Sequence, residues 1–187
     1  VAAMAGVSQM LTRYVAPTPL IGRVAIIGTL LGVGLLLACV FFGRYAAGWY
    51  FLYPLPFKGE WPQWSTVLFL VSLTVLGATW LLWSLDLLRA IAKRYTISQA
   101  LAWHYLAGRS EPVVPPAVLI TTVSLIAGVA ALLSGVVVLA LFYVELFAGT
   151  SNDALLMKNI TFFFGHTLVN LTMYLGVALV YEVLPDY

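Results

Sequence analysis

Four long apolar runs separated by polar or proline-rich connections organise this chain. The first, at 21–42 (IGRVAIIGTLLGVGLLLACVFF), carries no charge after Arg23, and others follow at 64–88, 117–147 and 154–184. At about 1.5 Å rise per residue, each is long enough to cross a hydrocarbon core about 30 Å thick. The pattern predicts an all-α, polytopic membrane helix bundle with four transmembrane helices, forming a single domain over residues 1–187. Ahead of them, VAAMAGVSQMLTRY at 1–14 reads as the end of an upstream helix, closed by Pro17 and Pro19. Gly28, Gly32 and Gly34 give the first run small positions where a neighbouring helix can approach closely.

The connections differ in character. Residues 44–63 are broken by Pro54, Pro56 and Pro62 and predict an interfacial loop, with Trp49, Tyr50, Tyr53, Trp61 and Trp64 suited to the headgroup level. Residues 95–116 form the most polar connection. His104, flanked by Arg109, Glu111 and Pro112, reads there as an exposed loop or interfacial histidine. Glu145 lies near the end of its run, where an acid reaches water, and reads first as a boundary group and second as a proton or ion site.

Composition narrows the class. With 63% hydrophobic and 9% charged residues, the chain is too apolar for a water-soluble domain of 187 residues. A formal charge of +2, carried by basic residues between the apolar runs, argues against nucleic acid as a partner. The single cysteine, Cys39, sits inside an apolar run and reads as a small core hydrophobe. The chain starts at Val1 with no recognisable targeting segment and ends abruptly at Tyr187, so the expectation is a fragment of a longer polypeptide.

Charge sets the expected orientation. Arg13, Arg23, Arg89, Lys93, Arg94 and Arg109 fall on one side, and Arg44, Lys58 and Lys158 on the other. The first side, with the C-terminus, is therefore expected to be cytoplasmic. The last run then enters from outside, which puts His166 in the outer half of the membrane.

His166 is the main chemical feature. An ionisable side chain within a membrane helix marks a functional-site hypothesis. A neutral imidazole is satisfied either by copper, iron or zinc, or by a hydrogen bond to a neighbouring helix. The run contains no second histidine, HxxxH pair or carboxylate cluster, so any metal needs ligands from elsewhere. Asn170 lies one turn on, about 40° round the helix, and shares the face of His166. Tyr174 and Tyr181 project about 80° and 60° from His166 and, with Thr167 and Thr172, are candidates for a hydrated proton route. Hydroxyls in membrane helices also bond to their own backbone. Glu182 projects nearly opposite His166 and reads as an interfacial anchor.

The run Gly165-His166-Thr167-Leu168-Val169-Asn170, followed by Tyr181 and Leu184-Pro185, resembles the sixth transmembrane helix of subunit I of the haem-copper oxidase superfamily, in its B-type branch. The segment Tyr53-Pro54-Leu55-Pro56-Phe57-Lys58-Gly59-Glu60-Trp61-Pro62 resembles the loop after that branch's third helix. Leu85-Asp86-Leu87-Leu88-Arg89 resembles the end of its fourth. The resemblance covers nearly the whole chain and makes the four runs the third to sixth helices of a larger twelve-helix-type bundle, with 1–14 as the end of the second. The charge-derived orientation agrees.

The resemblance implies a catalytic subunit with a low-spin haem and a binuclear centre of high-spin haem and copper. His166 would be one of three histidine ligands to copper, and the haem ligands would lie outside this chain. Tyr181 matches a tyrosine of that branch's proton pathway, whereas Tyr174 is a proton-route candidate from spacing alone. The implied activity is dioxygen reduction in the plasma (inner) membrane of a prokaryote, with electrons from cytochrome c or a quinol and other oxidase subunits as partners. One position departs from the oxidase pattern. Four residues after the copper histidine, oxidases of this branch carry a redox-active tyrosine, and here Asn170 stands. Nitric oxide reductases of the superfamily also lack that tyrosine, so nitric oxide is the alternative substrate. The alternative from another class is a non-catalytic bundle or transporter in which His166 serves packing or proton relay.

Overall fold

Backbone amides and carbonyls in an apolar run must be satisfied within the chain, and the α-helix does this locally. In a computed structural model, which describes residues 2–48 and 51–184, the elements are helical throughout. They are α1 (Ala2–Leu11), α2 (Pro19–Phe41), α3 (Gln63–Tyr95), α4 (Ile97–Ala100), α5 (Trp103–Leu106), α6 (Pro116–Ala148) and α7 (Ala154–Val183), with a 3-10 turn at Leu55–Phe57. Four of these, α2, α3, α6 and α7, are long and apolar enough to cross a membrane. The predicted all-α polytopic bundle is therefore observed. Trp49, Tyr50 and Pro185, used in the sequence reading, lie outside the described residues.

Helix α3 runs past Leu88 to Tyr95. Its last turns carry Asp86 and Arg89, paired at 2.7 Å, which keeps both charges compatible with continued helix. The connection to α6 is partly ordered into α4 and α5. Thr96 begins α4 by accepting the Gln99 amide on its hydroxyl at 3.3 Å.

The chain divides into two compact units. One comprises Val1–Val24, Leu81–Ala130 and Thr167–Tyr187, and the other Ala25–Trp80 and Ala131–His166.

In the second unit, Cys39, Phe69, Leu70, Val138, Phe142 and Met157 form a buried cluster that also takes in Tyr45 and Ala47 from the loop after α2. Cys39 is fully buried, as its apolar surroundings predicted. Tyr45 stacks on Phe69 at 4.5 Å between ring centroids, and Phe57 meets Phe142 edge-on at 5.6 Å. Of the expected aromatic belt, Tyr53 and Trp61 are folded inward onto this cluster. Trp61 packs on the cluster and donates its indole N–H to the Thr66 hydroxyl, whereas Trp64 stays exposed. A Cβ on Gly28 would overlap the Thr79 side chain, and one on Gly32 would come within 2.6 Å of Leu76, whereas Gly34 faces open space. The close approach expected of the three glycines therefore holds at two.

In the first unit, Val7, Leu11, Leu87, Ile91 and Val118 are fully or almost fully buried. Polar groups tie the helix ends. Trp83 donates to the Ser8 hydroxyl at 2.8 Å, and Glu182 accepts from Arg13 at 3.0 Å and from the Tyr14 hydroxyl at 2.8 Å. Glu182 therefore anchors α7 to side chains just after α1.

His104 corrects the sequence reading. It is buried, not exposed, with its ring 4.1 Å from that of Tyr105 and its Nε2 2.9 Å from the Pro112 carbonyl. That carbonyl only accepts, so Nε2 carries the proton, and the buried Nδ1 has no partner among the described residues. The 104–112 segment folds back on itself, which local polarity did not reveal.

Candidate functional site

Helix α7 carries the four residues singled out by sequence. It begins where the Asp153 carboxylate accepts the Leu156 amide at 2.7 Å, satisfying one of the free donors of a helix start. His166 follows Ala154 by 12 residues, about 18 Å along the axis. The buried positions of α7 are Met157 and Thr161 in one unit and Leu171, Leu175 and Ala178 in the other. Gly135 makes room for Phe164, and Gly128 for Leu171. These contacts fix which side of the helix packs.

His166, Asn170, Tyr174 and Tyr181 lie on the remaining, exposed side. The His166 ring meets the edge of Phe162, one turn earlier, at 3.7 Å between centroids. Among the described residues neither the His166 imidazole nor the Asn170 amide makes a side-chain hydrogen bond. Tyr174 and Tyr181 are 49% and 59% exposed, and no hydrogen bond links either to another candidate. Thr172 donates back to the Leu168 carbonyl at 2.9 Å, the local bond available to a helix hydroxyl. The structure therefore gathers the candidates on an unburied side of α7 without joining them into a continuous route.

As a metal donor, His166 is unencumbered among the described residues, none of which hydrogen-bonds its ring nitrogens. Among the described residues no group of three or more potential ligands surrounds it. The residue thus fits copper as one ligand of a set and cannot hold the ion alone.

A second feature was only half legible in the sequence. In the unit that holds the loop after α2, the start of α3 and the α6–α7 turn, a cavity of about 490 Å³ is lined by Tyr53, Phe57, Lys58, Trp61, Glu145 and Thr150, among others. Glu145 is half-buried, and its Oε2 accepts from Asn152 Nδ2 at 2.6 Å. Asn152 also donates its backbone amide to the Tyr53 hydroxyl at 3.2 Å. The available signal was Lys58 and Glu145 at facing loop ends.

Compared with protein-family models, with curated proteins and with solved structures, the chain gives no match.

Proposed function

We propose that this chain is part of the catalytic subunit of a haem-copper respiratory terminal reductase, with His166 as one of the histidines that hold copper. The observation that carries the proposal is His166 itself, exposed about 18 Å along an apolar helix with no hydrogen-bond partner among the described residues. An imidazole at that depth needs a partner from outside these residues, and a metal completed by other helices supplies one. Asn170, Tyr174 and Tyr181 on the exposed side of α7 support the same reading, because three further polar side chains there are poorly matched to lipid.

Haem and copper, when bound, carry the redox chemistry, while the protein places them. This chain's part is to hold one copper ligand through His166 and to set an amide beside it through Asn170. Tyr174 and Tyr181 offer hydroxyls toward the other end of α7. Electrons come from cytochrome c or a quinol, and the primary acceptor is dioxygen. The specific observation favouring nitric oxide instead is Asn170, whose amide cannot give the electron and proton that a tyrosine can. Orientation follows from charge. The side carrying Arg13, Arg23, Arg89, Lys93, Arg94 and Arg109, against Arg44, Lys58 and Lys158 on the other, is the cytoplasmic side of a prokaryotic plasma membrane in this reading.

The test is gas consumption by the intact polypeptide, purified with its cofactors and supplied with reduced donor. Dioxygen uptake supports the first reading. Nitric oxide uptake with little dioxygen uptake, unchanged in direction by Asn170→Tyr, supports the second. Consumption of neither gas overturns the proposal in favour of a non-catalytic bundle or transporter.

A further inference from the structure

The cavity beside the α6–α7 turn has a charge pattern that no part of the redox reading uses. Lys58 and Glu145 both line it, yet neither forms an ion pair among the described residues. Among the described residues only one carboxylate oxygen of Glu145 is engaged, by Asn152, which leaves the other open to a donor. The walls are held in place. Trp61 bonds to Thr66, Thr66 bonds to the Pro56 carbonyl at 2.9 Å, and Tyr53 receives the Asn152 amide. One cation, one carboxylate and three aromatic rings thus surround a space of a size typical for small-molecule sites.

We propose that this cavity binds the headgroup of a zwitterionic phospholipid with a primary ammonium, such as phosphatidylethanolamine. Lys58 takes the phosphate and Glu145 the ammonium, with the Thr150 hydroxyl as a further acceptor. The balance of charge selects the class. An anionic headgroup would leave Glu145 facing negative charge, and a purely cationic ligand would leave Lys58 opposed. Three observations favour a lipid over a soluble zwitterion. The cavity lies at the ends of membrane-length helices, aromatic rings of the kind found at headgroup level line it, and Leu55, Trp64, Val144 and Phe147, within two residues of its lining in sequence, expose apolar surface on which acyl chains can lie.

The test places the intact polypeptide in nanodiscs of equal parts phosphatidylethanolamine, phosphatidylglycerol and phosphatidylcholine and measures the lipids retained after extraction by native mass spectrometry. Phosphatidylethanolamine is expected to be enriched. Glu145→Gln, which preserves the acceptor for Asn152, and Lys58→Gln are each expected to lower that enrichment about threefold to fivefold, the scale of a half-exposed ion pair. A parallel arm adds free phosphoethanolamine to delipidated protein and follows thermal stability. Protection by the lipid alone supports the proposal, and equal protection by the soluble headgroup overturns the lipid assignment. Equal retention of all three lipids, or enrichment that neither substitution changes, overturns the site.

Discussion

Asp86 accepts two hydrogen bonds from Thr18, the backbone amide reaching Oδ2 at 2.7 Å and the hydroxyl reaching Oδ1 at 2.8 Å. Arg89 adds Nη2 at 2.7 Å and Nε at 3.0 Å to the same Oδ1. The carboxylate side chain is 3% exposed against 41% for Arg89, so the acid is the buried centre of this cluster and the arginine its solvated edge. Thr18 stands immediately before α2, and Asp86 therefore ties α3 to the start of the first long helix.

Removing that carboxylate leaves the Thr18 amide, the Thr18 hydroxyl and the Nε and Nη2 groups of Arg89 without this acceptor. Asp86→Ala is expected to lower stability by about 2–4 kcal/mol, the range for breaking a buried charged hydrogen-bond group. Thr18→Ala keeps the amide bond and is expected to cost about 1 kcal/mol. Unfolding of both variants in matched detergent checks the order, and an equal effect would mean that the amide and the Arg89 contacts together contribute nothing.

Glycine substitutions should separate contact from helix propensity along α2. At Gly28 a methyl would strike Thr79, whose hydroxyl bonds to the Val75 and Leu76 carbonyls and so resists turning away. Gly28→Ala is expected to cost about 1–3 kcal/mol. Gly34→Ala meets nothing and is expected to be neutral or to gain up to about 1 kcal/mol. Thermal unfolding of the pair measures the difference.

Two tyrosines outside the spans give alkaline sensitivity a defined sign. Tyr14 is held protonated above the ordinary phenol value of 10.0 by its hydrogen bond to Glu182, then by burial and by that carboxylate's charge. Tyr45 is shifted the same way, by burial first, and its buried hydroxyl has no partner among the described residues. Because the folded state prefers the neutral phenol, this stability is fully present below pH 10 and is lost as pH rises through the elevated folded values. Tyr45→Phe is expected to remove part of the late rise in phenolate absorbance and to leave neutral-pH stability unchanged or slightly higher. Absorbance titration together with unfolding at neutral and alkaline pH tests both halves.

The sequence carried the architecture because twenty or more consecutive apolar residues admit few structures in a membrane, and 21–42, 64–88, 117–147 and 154–184 all became long helices. Spacing put Asn170 one turn from His166 on the same helix, and both are exposed on α7. What it lacked were relationships across the chain. Nothing near His104 announces that Pro112 folds back over it, and nothing near Glu182 announces Arg13 and Tyr14. The inward turn of Tyr45 and Trp61 likewise depends on Phe69 and Thr66 in the next helix. Such contacts arise from tertiary packing, which residue type alone does not encode.

Copper content of the intact polypeptide carrying His166→Ala, determined together with its haem absorption spectrum, tests the central reading most directly. The expected result is haem and copper in the unsubstituted protein, with copper and gas turnover lost in the variant and the low-spin haem band retained. Full copper and undiminished turnover in His166→Ala, or neither haem nor copper in the unsubstituted protein, would contradict it.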